Sequence, residues 1–195
     1  QIVPNAIDIN KHKFSPKYRK EIREEFHLGE HQKVVGMIGI LNRDKNQNFL
    51  IELAKKLPEI TFLFVGEGPD RLMLEEQSKE LENVIFTGRR NDVHKFYSAF
   101  DIFAFPSLYE GFPMVLVEAQ CSRVNIIMNE TIDSTTQINK KLCTALPLKK
   151  EEWMNYIEKA PILDQSRPLE ETLKPFNIDE NRNYLKVIYK QGLEK

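Results

Sequence analysis

The chain has 195 residues, and its 28 basic and 29 acidic side chains leave a formal net charge of -1. No basic excess points to nucleic acid, and no acidic tail suggests a chaperone or solvating role. No apolar run approaches the roughly eighteen residues of a membrane-spanning helix, and no signal peptide is visible.

The length suffices for one domain with a proper core. The chain starts Gln1-Ile2-Val3-Pro4 without an initiator methionine, as a piece excised from a longer protein would. Cys121 and Cys143 share no C-x-x-C spacing and lie among apolar residues, which reads as reduced core thiols of a cytoplasmic protein. His27 and His31 have the i,i+4 spacing of a metal clamp, but Gly29 between them ends the local helix. A surface loop is the better reading, and no metal site is expected.

Residues 2–8 read as an extended lead-in and loop. Ser15-Pro16 starts a helix with Ser15 as N-cap; Tyr18, Ile22 and Phe26 share one face, the charges form a solvated face, and the helix ends near Gly29. Residues 34–39, VVGMIG, are a continuous apolar run, the pattern of a parallel strand covered on both sides. A loop carrying Arg43 and Lys45 leads to a helix from about Asn46, with Phe49, Leu50, Leu53, Ala54 and Leu57 at helical spacing. Gly39 at the strand end and basic residues before a helix N-terminus suit a pyrophosphate.

A second strand spans 60–65 and exits through Gly66-Glu67-Gly68-Pro69; a charged helix follows to about Leu81. The third strand, 83–88, ends in Gly88-Arg89-Arg90, and Asp92 then caps a short helix. Asp101-Ile102-Phe103-Ala104-Phe105 reads as a buried strand, followed by a loop punctuated by Pro106, Gly111 and Pro113.

The helix after that loop is the most informative stretch. Pro113 suits a first helical position, and Met114, Val115 and Leu116 leave the first turn without an acidic side chain, open to an outside anion. Gly111 lets a ligand approach the backbone. Glu110 and Glu118 bracket the turn, and a carboxylate can accept from two neighbouring sugar hydroxyls at once. Together these features describe a sugar-phosphate site. A further strand covers 125–128, residues 130–142 are polar and unassigned, and 143–148 form a last short strand. A helix over 149–157 carries Trp153, Tyr156 and Ile157 on its core stripe. Pro161, Pro168 and Pro175 mark a loop-rich segment, and a final helix runs from its N-cap Asp179 through Tyr184, Leu185, Ile188 and Tyr189.

The stretch PSLYEGFPMVLVEA at 106–119 resembles the E-x7-E signature of the retaining GT-B glycosyltransferases, family 4 in particular. Other segments are similar in the same sense. Pro4-Asn5-Ala6-Ile7-Asp8 resembles the family's P-N-G-I-D with alanine for glycine. Val65 to Pro69 resembles V-G-D/E-G-P, and Tyr97 to Phe103 resembles y-x-x-A-D-I/V-F. Of the family's G-R-x-x-x-x-K, Lys45 matches the lysine while Ile40 stands at the arginine, with Arg43 nearby. Arg123 and Asn125 replace the glycine and proline of A-x-x-x-G-x-P-V-I, so the turn after the E-x7-E helix is expected to avoid the left-handed conformation that glycine takes.

The resemblance implies an α/β domain over 1–195, a Rossmann-like open parallel sheet with helices on both faces, as in the C-terminal half of a GT-B fold. It implies a nucleoside diphosphate sugar donor, a UDP-sugar first, and no metal or other cofactor. Glu118 would hold the ribose and Glu110, the catalytic candidate, would lie by the donor sugar. Lys45, with the backbone of Gly111, Phe112, Pro113, Met114 and Val115, would hold the diphosphate. Gly39, Arg43, Gly66, Gly88 and Arg90 would complete the nucleotide pocket. A glycan, lipid or polysaccharide acceptor would sit on a missing N-terminal domain of a cytoplasmic enzyme open to peripheral membrane association. The alternative is a glycosyltransferase-like binding module without turnover. A phosphoacceptor domain fits less well, since Asp101 lies at a strand start, and a dehydrogenase would need G-x-G-x-x-G at the first helix.

Overall fold

The computed structural model describes residues 5–161 and 171–183. Six strands, β1 (Val34–Ile38), β2 (Thr61–Val65), β3 (Val84–Phe86), β4 (Ile102–Phe105), β5 (Asn125–Asn129) and β6 (Cys143–Leu146), pair in parallel in the order β3-β2-β1-β4-β5-β6. The helices are α1 (Pro16–Glu25), α2 (Gln47–Ala54), α3 (Arg71–Ser78), α4 (Val93–Ala99), α5 (Met114–Ser122) and α6 (Lys150–Lys159). This is the expected α/β Rossmann-like sheet. Its order reverses between β1 and β4, and in open sheets that reversal point is where ligands bind, beyond the C-terminal strand ends.

Alternation along the strands explains why both faces are covered. Phe62, Phe64, Ile102 and Ala104 point to one core, filled by Leu50 and Leu53 of α2, Leu74 of α3 and Trp153 of α6. Leu63, Val65, Phe103 and Phe105 point to the other, filled by Ile22 of α1, Phe96 and Tyr97 of α4, and Leu116 of α5. Gly36 of β1 is required by that packing, since a Cβ there would stand 2.3 Å from the Phe100 ring. Ile7 and Asn177 form a parallel bridge, and beside it Ile9, Val117, Cys121 and Leu173 close a third cluster against α5.

Several local expectations are corrected. Helix α1 stops at Glu25, and its Arg19 and Arg23 are not solvated. Both reach Asp101 (2.8 and 3.4 Å), while Arg23 also donates to the Ala99 and Gly29 carbonyls. Asp101 in turn accepts from Val34 N at 2.8 Å, so α1 is fastened to the N-terminal ends of β1 and β4. Burial lowers the Arg23 pKa, with the Arg19 charge adding to it. Pro113 is the N-cap of α5, with extended ψ of 103°, and not its first helical residue.

Arg123 does take the left-handed conformation (φ 58°, ψ 28°), so the turn after α5 keeps the geometry expected to be lost. The strain of a non-glycine residue there, about 1–2 kcal/mol, is within what the surrounding buried strand and helix can hold. Asp92 sits at the N-cap of α4 without capping it, because its carboxylate is held by Arg90. The last described helical turn begins at Ile178, capped by Asn177 Oδ1 accepting from Asp179 N at 3.2 Å, so Asp179 is not the N-cap. Pro168, Tyr184, Leu185, Ile188 and Tyr189 lie outside the described residues.

Candidate functional site

The loops after β1 and β4 meet over the reversal point. Gly39 to Asn46 contains one 3-10 turn, Arg43–Lys45, whose start is capped by Asn42 Oδ1 accepting from Lys45 N at 3.1 Å. Asn46 closes the turn at φ 57°, a conformation asparagine tolerates well. The two loops are stitched by Leu108 N donating to Asp44 O (2.8 Å) and Asn46 Nδ2 donating to Pro106 O (3.2 Å). Asn129 at the end of β5 adds a bond from Nδ2 to Ser107 O at 2.9 Å.

That stitching brings Lys45 and Glu110 into contact. The ammonium and carboxylate form an ion pair whose side chains are only 21 % and 12 % exposed, and Lys45 Nζ also lies 5.8 Å from the centre of the Phe105 ring. A cation and an anion from opposite halves of the sheet thus face each other where a ligand's charge would arrive. Beside them α5 begins without a side-chain cap, so the amides of Met114 and Val115 keep the unfilled donors of a helix start.

Gly39, Gly66 and Gly88 line up at the ends of β1, β2 and β3 through bonds from Gly39 N to Val65 O and Gly66 N to Gly88 O. A Cβ on Gly66, at φ 144°, would come within 1.9 Å of the Gly39 carbonyl oxygen. Gly111 differs: a Cβ there meets nothing within 4 Å. Phe112 turns its side chain away to stack on Phe176, with ring centres 5.9 Å apart and 10° between planes.

Two of the basic residues stand apart from this centre. Arg43 is exposed and, instead of joining Lys45 and Glu110, lines an adjoining cleft of about 490 Å3 with Asn42, Asn46, Gln47, Asp70 and Leu108. Arg90 is engaged by Asp92 (2.9 Å) and Glu25 (2.5 Å) over the Phe96 ring, which raises its pKa and ties the β3–α4 loop to α1. Ile40, at the position of the family's arginine, is 57 % exposed.

Glu118 is partly buried on α5. Its Oε2 accepts from Tyr97 Oη at 2.6 Å and lies 3.7 Å from His12 Nε2. Tyr97 is fully buried, and burial with the Glu118 carboxylate beside it raises its pKa well above the ordinary value. Neither residue is a site candidate from the sequence: Tyr97 enters there only as the start of the Tyr97–Phe103 segment, and His12 not at all. Tyr97 falls on the buried stripe of α4 with Phe96 and Phe100, so it read as core, and nothing local marks His12. A tyrosine five residues before the start of β4, on the helix preceding the one that carries a candidate carboxylate, is the available signal. Among the described residues no group of three or more His, Cys, Asp or Glu could hold a metal ion, and no helix is long and apolar enough to cross a membrane.

Comparison with known proteins agrees with this architecture. Residues 18–174 match the family described as glycosyl transferases group 1. EpsF of Bacillus subtilis is 31 % identical over 209 residues, covering all of this chain and 54 % of EpsF. An Escherichia coli UDP-Gal:α-D-GlcNAc-diphosphoundecaprenol α-1,3-galactosyltransferase is 31 % identical over 140 residues, 66 % of this chain and 36 % of that enzyme. Among solved structures, Anabaena HepE in complex with UDP and glucose aligns over 97 % of this chain and 56 % of its own, at 24 % identity and a TM-score of 0.77. A Rickettsia africae glycosyltransferase aligns over 100 % and 57 %, at 17 % identity and a TM-score of 0.81. The chain thus spans about half the length of these proteins or less.

Proposed function

This chain belongs to the group 1 glycosyl transferases, and from that premise we propose that it is the donor-binding half of a retaining family 4 enzyme that transfers a sugar from a UDP-sugar. The observation that carries the reading is the meeting of Lys45 and Glu110 over the reversal point, beside the uncapped start of α5. A diphosphate arriving there takes Glu110's place on Lys45 and accepts from the amides of Gly111, Phe112, Met114 and Val115. Glu110, released, faces the sugar, and Glu118 holds the ribose hydroxyls. An ammonium, backbone amides and a helix end supply the countercharge, so the reaction needs no metal.

UDP is favoured as the nucleotide because HepE is crystallised with it and the E. coli relative is named for UDP-Gal. The acceptor, a glycan, lipid or polysaccharide precursor, belongs on a second domain outside this chain, whose relatives are about twice as long. The whole enzyme would then work in the cytoplasm, where such donors are made, with room for peripheral membrane contact. A nucleotide-binding module without turnover is the second reading; the exposed Ile40 at the arginine position and Arg43 turned into the adjoining cleft favour it.

Calorimetric titration with UDP and a UDP-sugar in EDTA tests the proposal. UDP should bind, and Glu118→Ala should cost about 2 kcal/mol, roughly thirtyfold in affinity. Glu110→Ala should spare UDP and weaken only the sugar nucleotide, and the chain alone should transfer no sugar. A strict need for manganese or magnesium, or equal affinities for all three proteins, would refute it.

A further inference from the structure

Tyr97 spends its single polar atom on the carboxylate proposed to hold the ribose. Its ring is fully buried, packed at 5.5 Å from Phe103 and 6.4 Å from Phe100 between ring centres, with His12 at 6.1 Å on the side of the lead-in segment. A phenol held on three sides has one hydroxyl position available, and that hydroxyl donates to Glu118 Oε2 at 2.6 Å. His12 approaches the same oxygen, 3.7 Å away, and is itself fixed by a 3.0 Å contact between Nδ1 and the Asp8 carbonyl. Both neighbours crowd Oε2. The other oxygen, Oε1, has no hydrogen-bond partner among the described residues, and the Glu118 side chain is 20 % exposed.

A glutamate on a helix surface has three side-chain torsions to fix, and a free carboxylate loses that freedom on gripping a ligand. Anchoring one oxygen to a rigid buried group removes most of that loss before the ligand arrives and leaves the second oxygen presented. We propose that Tyr97 is a positioning residue for nucleotide recognition, which clamps Glu118 Oε2 so that the carboxylate is pre-aimed at the vicinal hydroxyls of a ribose. The inference rests on the ribose reading of Glu118 given above. It adds a specificity consequence: discrimination of ribose from deoxyribose depends on a side chain that never touches the nucleotide.

Replacing Tyr97 by phenylalanine keeps the ring and its packing and deletes only the hydroxyl. Titration of the wild-type chain, Tyr97→Phe and Glu118→Ala with UDP and with 2′-deoxy-UDP gives three ratios. The wild type should prefer UDP by about tenfold, Glu118→Ala should bring the ratio near one, and Tyr97→Phe should leave it at about threefold. Affinity for 2′-deoxy-UDP should change little in Tyr97→Phe, whereas a merely structural role would lower both affinities together and leave the ratio unmoved. Loss of the preference in Glu118→Ala with its retention in Tyr97→Phe overturns the positioning role alone. No preference in the wild type, or one that survives Glu118→Ala, overturns the ribose reading and this inference with it.

Discussion

Two glycines at the same sheet edge should respond in opposite ways to an added methyl group. At Gly66 the new Cβ would lie 1.9 Å from the Gly39 carbonyl oxygen, far inside contact distance, and the φ of 144° is itself unfavourable for alanine. The obstacle is backbone that is pinned by Gly39 N donating to Val65 O, so it cannot swing aside. Overpacking of about 1–3 kcal/mol and backbone strain of about 1–3 kcal/mol put Gly66→Ala near 4 kcal/mol, or a melting point lower by roughly 8–16 °C. Gly111 has no such neighbour, and its φ lies outside the left-handed region, so Gly111→Ala should leave stability within about 1 kcal/mol of the wild type, on the stabilising side. The space that methyl fills is the space proposed for the diphosphate, and UDP affinity should fall at least tenfold, about 1.4 kcal/mol. Thermal melts and UDP titrations of both variants read the two effects separately. A Gly111→Ala protein that melts many degrees lower, or that binds UDP as the wild type does, would refute the reasoning.

Asp101→Asn should destabilise by about 3 kcal/mol, roughly 6–12 °C in melting point, because it leaves the buried Arg23 guanidinium without its countercharge; an unchanged melt would show that the carbonyls around Arg23 suffice. His94 should make the fold acid-sensitive. Its folded pKa is lowered from 6.5 by burial, then by the charges of Lys11, His12 and Lys95, so the unfolded chain takes up a proton that the folded one refuses. That stability is complete above pH 6.5 and drains away as pH falls below it. His94→Gln should flatten the pH dependence of the melting point on that acid side, and an identical slope in the variant would remove His94 from the account.

The parallel sheet was legible because strands covered on both sides are continuous apolar runs, and residues 34–38, 61–65 and 102–105 are such runs with turn residues behind them. The start of α5 was legible within one residue because Gly111 and Pro113 punctuate the chain there. What escaped were pairings between distant residues. Arg19 and Arg23 have the spacing of a solvated helical face, and only the fold reveals Asp101 beneath them. Arg90 reads as available to a ligand because Glu25 is remote in sequence, and Tyr97 reads as core because it is core, the partner of its buried hydroxyl, Glu118, lying on another helix. Arg123 was misjudged for another reason: propensity ranks the left-handed turn against arginine, but a buried strand and helix on either side dictate the turn. Lys45 and Glu110 were each singled out, yet their contact follows from β1 and β4 being neighbours, which no local pattern encodes.

The bridge between Ile7 and Asn177 has a consequence in time. Ile7 N donates to Phe176 O and Ile178 N donates to Ile7 O, so the lead-in segment, which carries His12 beside Glu118, is locked only after residues near 177 exist. On the ribosome the sheet from β1 to β5 can form while this clasp is still open, because its own contacts lie closer along the chain. Leu173 closes the cluster over Val117 and Cys121 at the same late moment. The inner face of the helix that bears Glu118 packs on the sheet through Leu116 and Ala119, whereas its outer face, Val117 and Cys121, is covered only once Leu173 is in place.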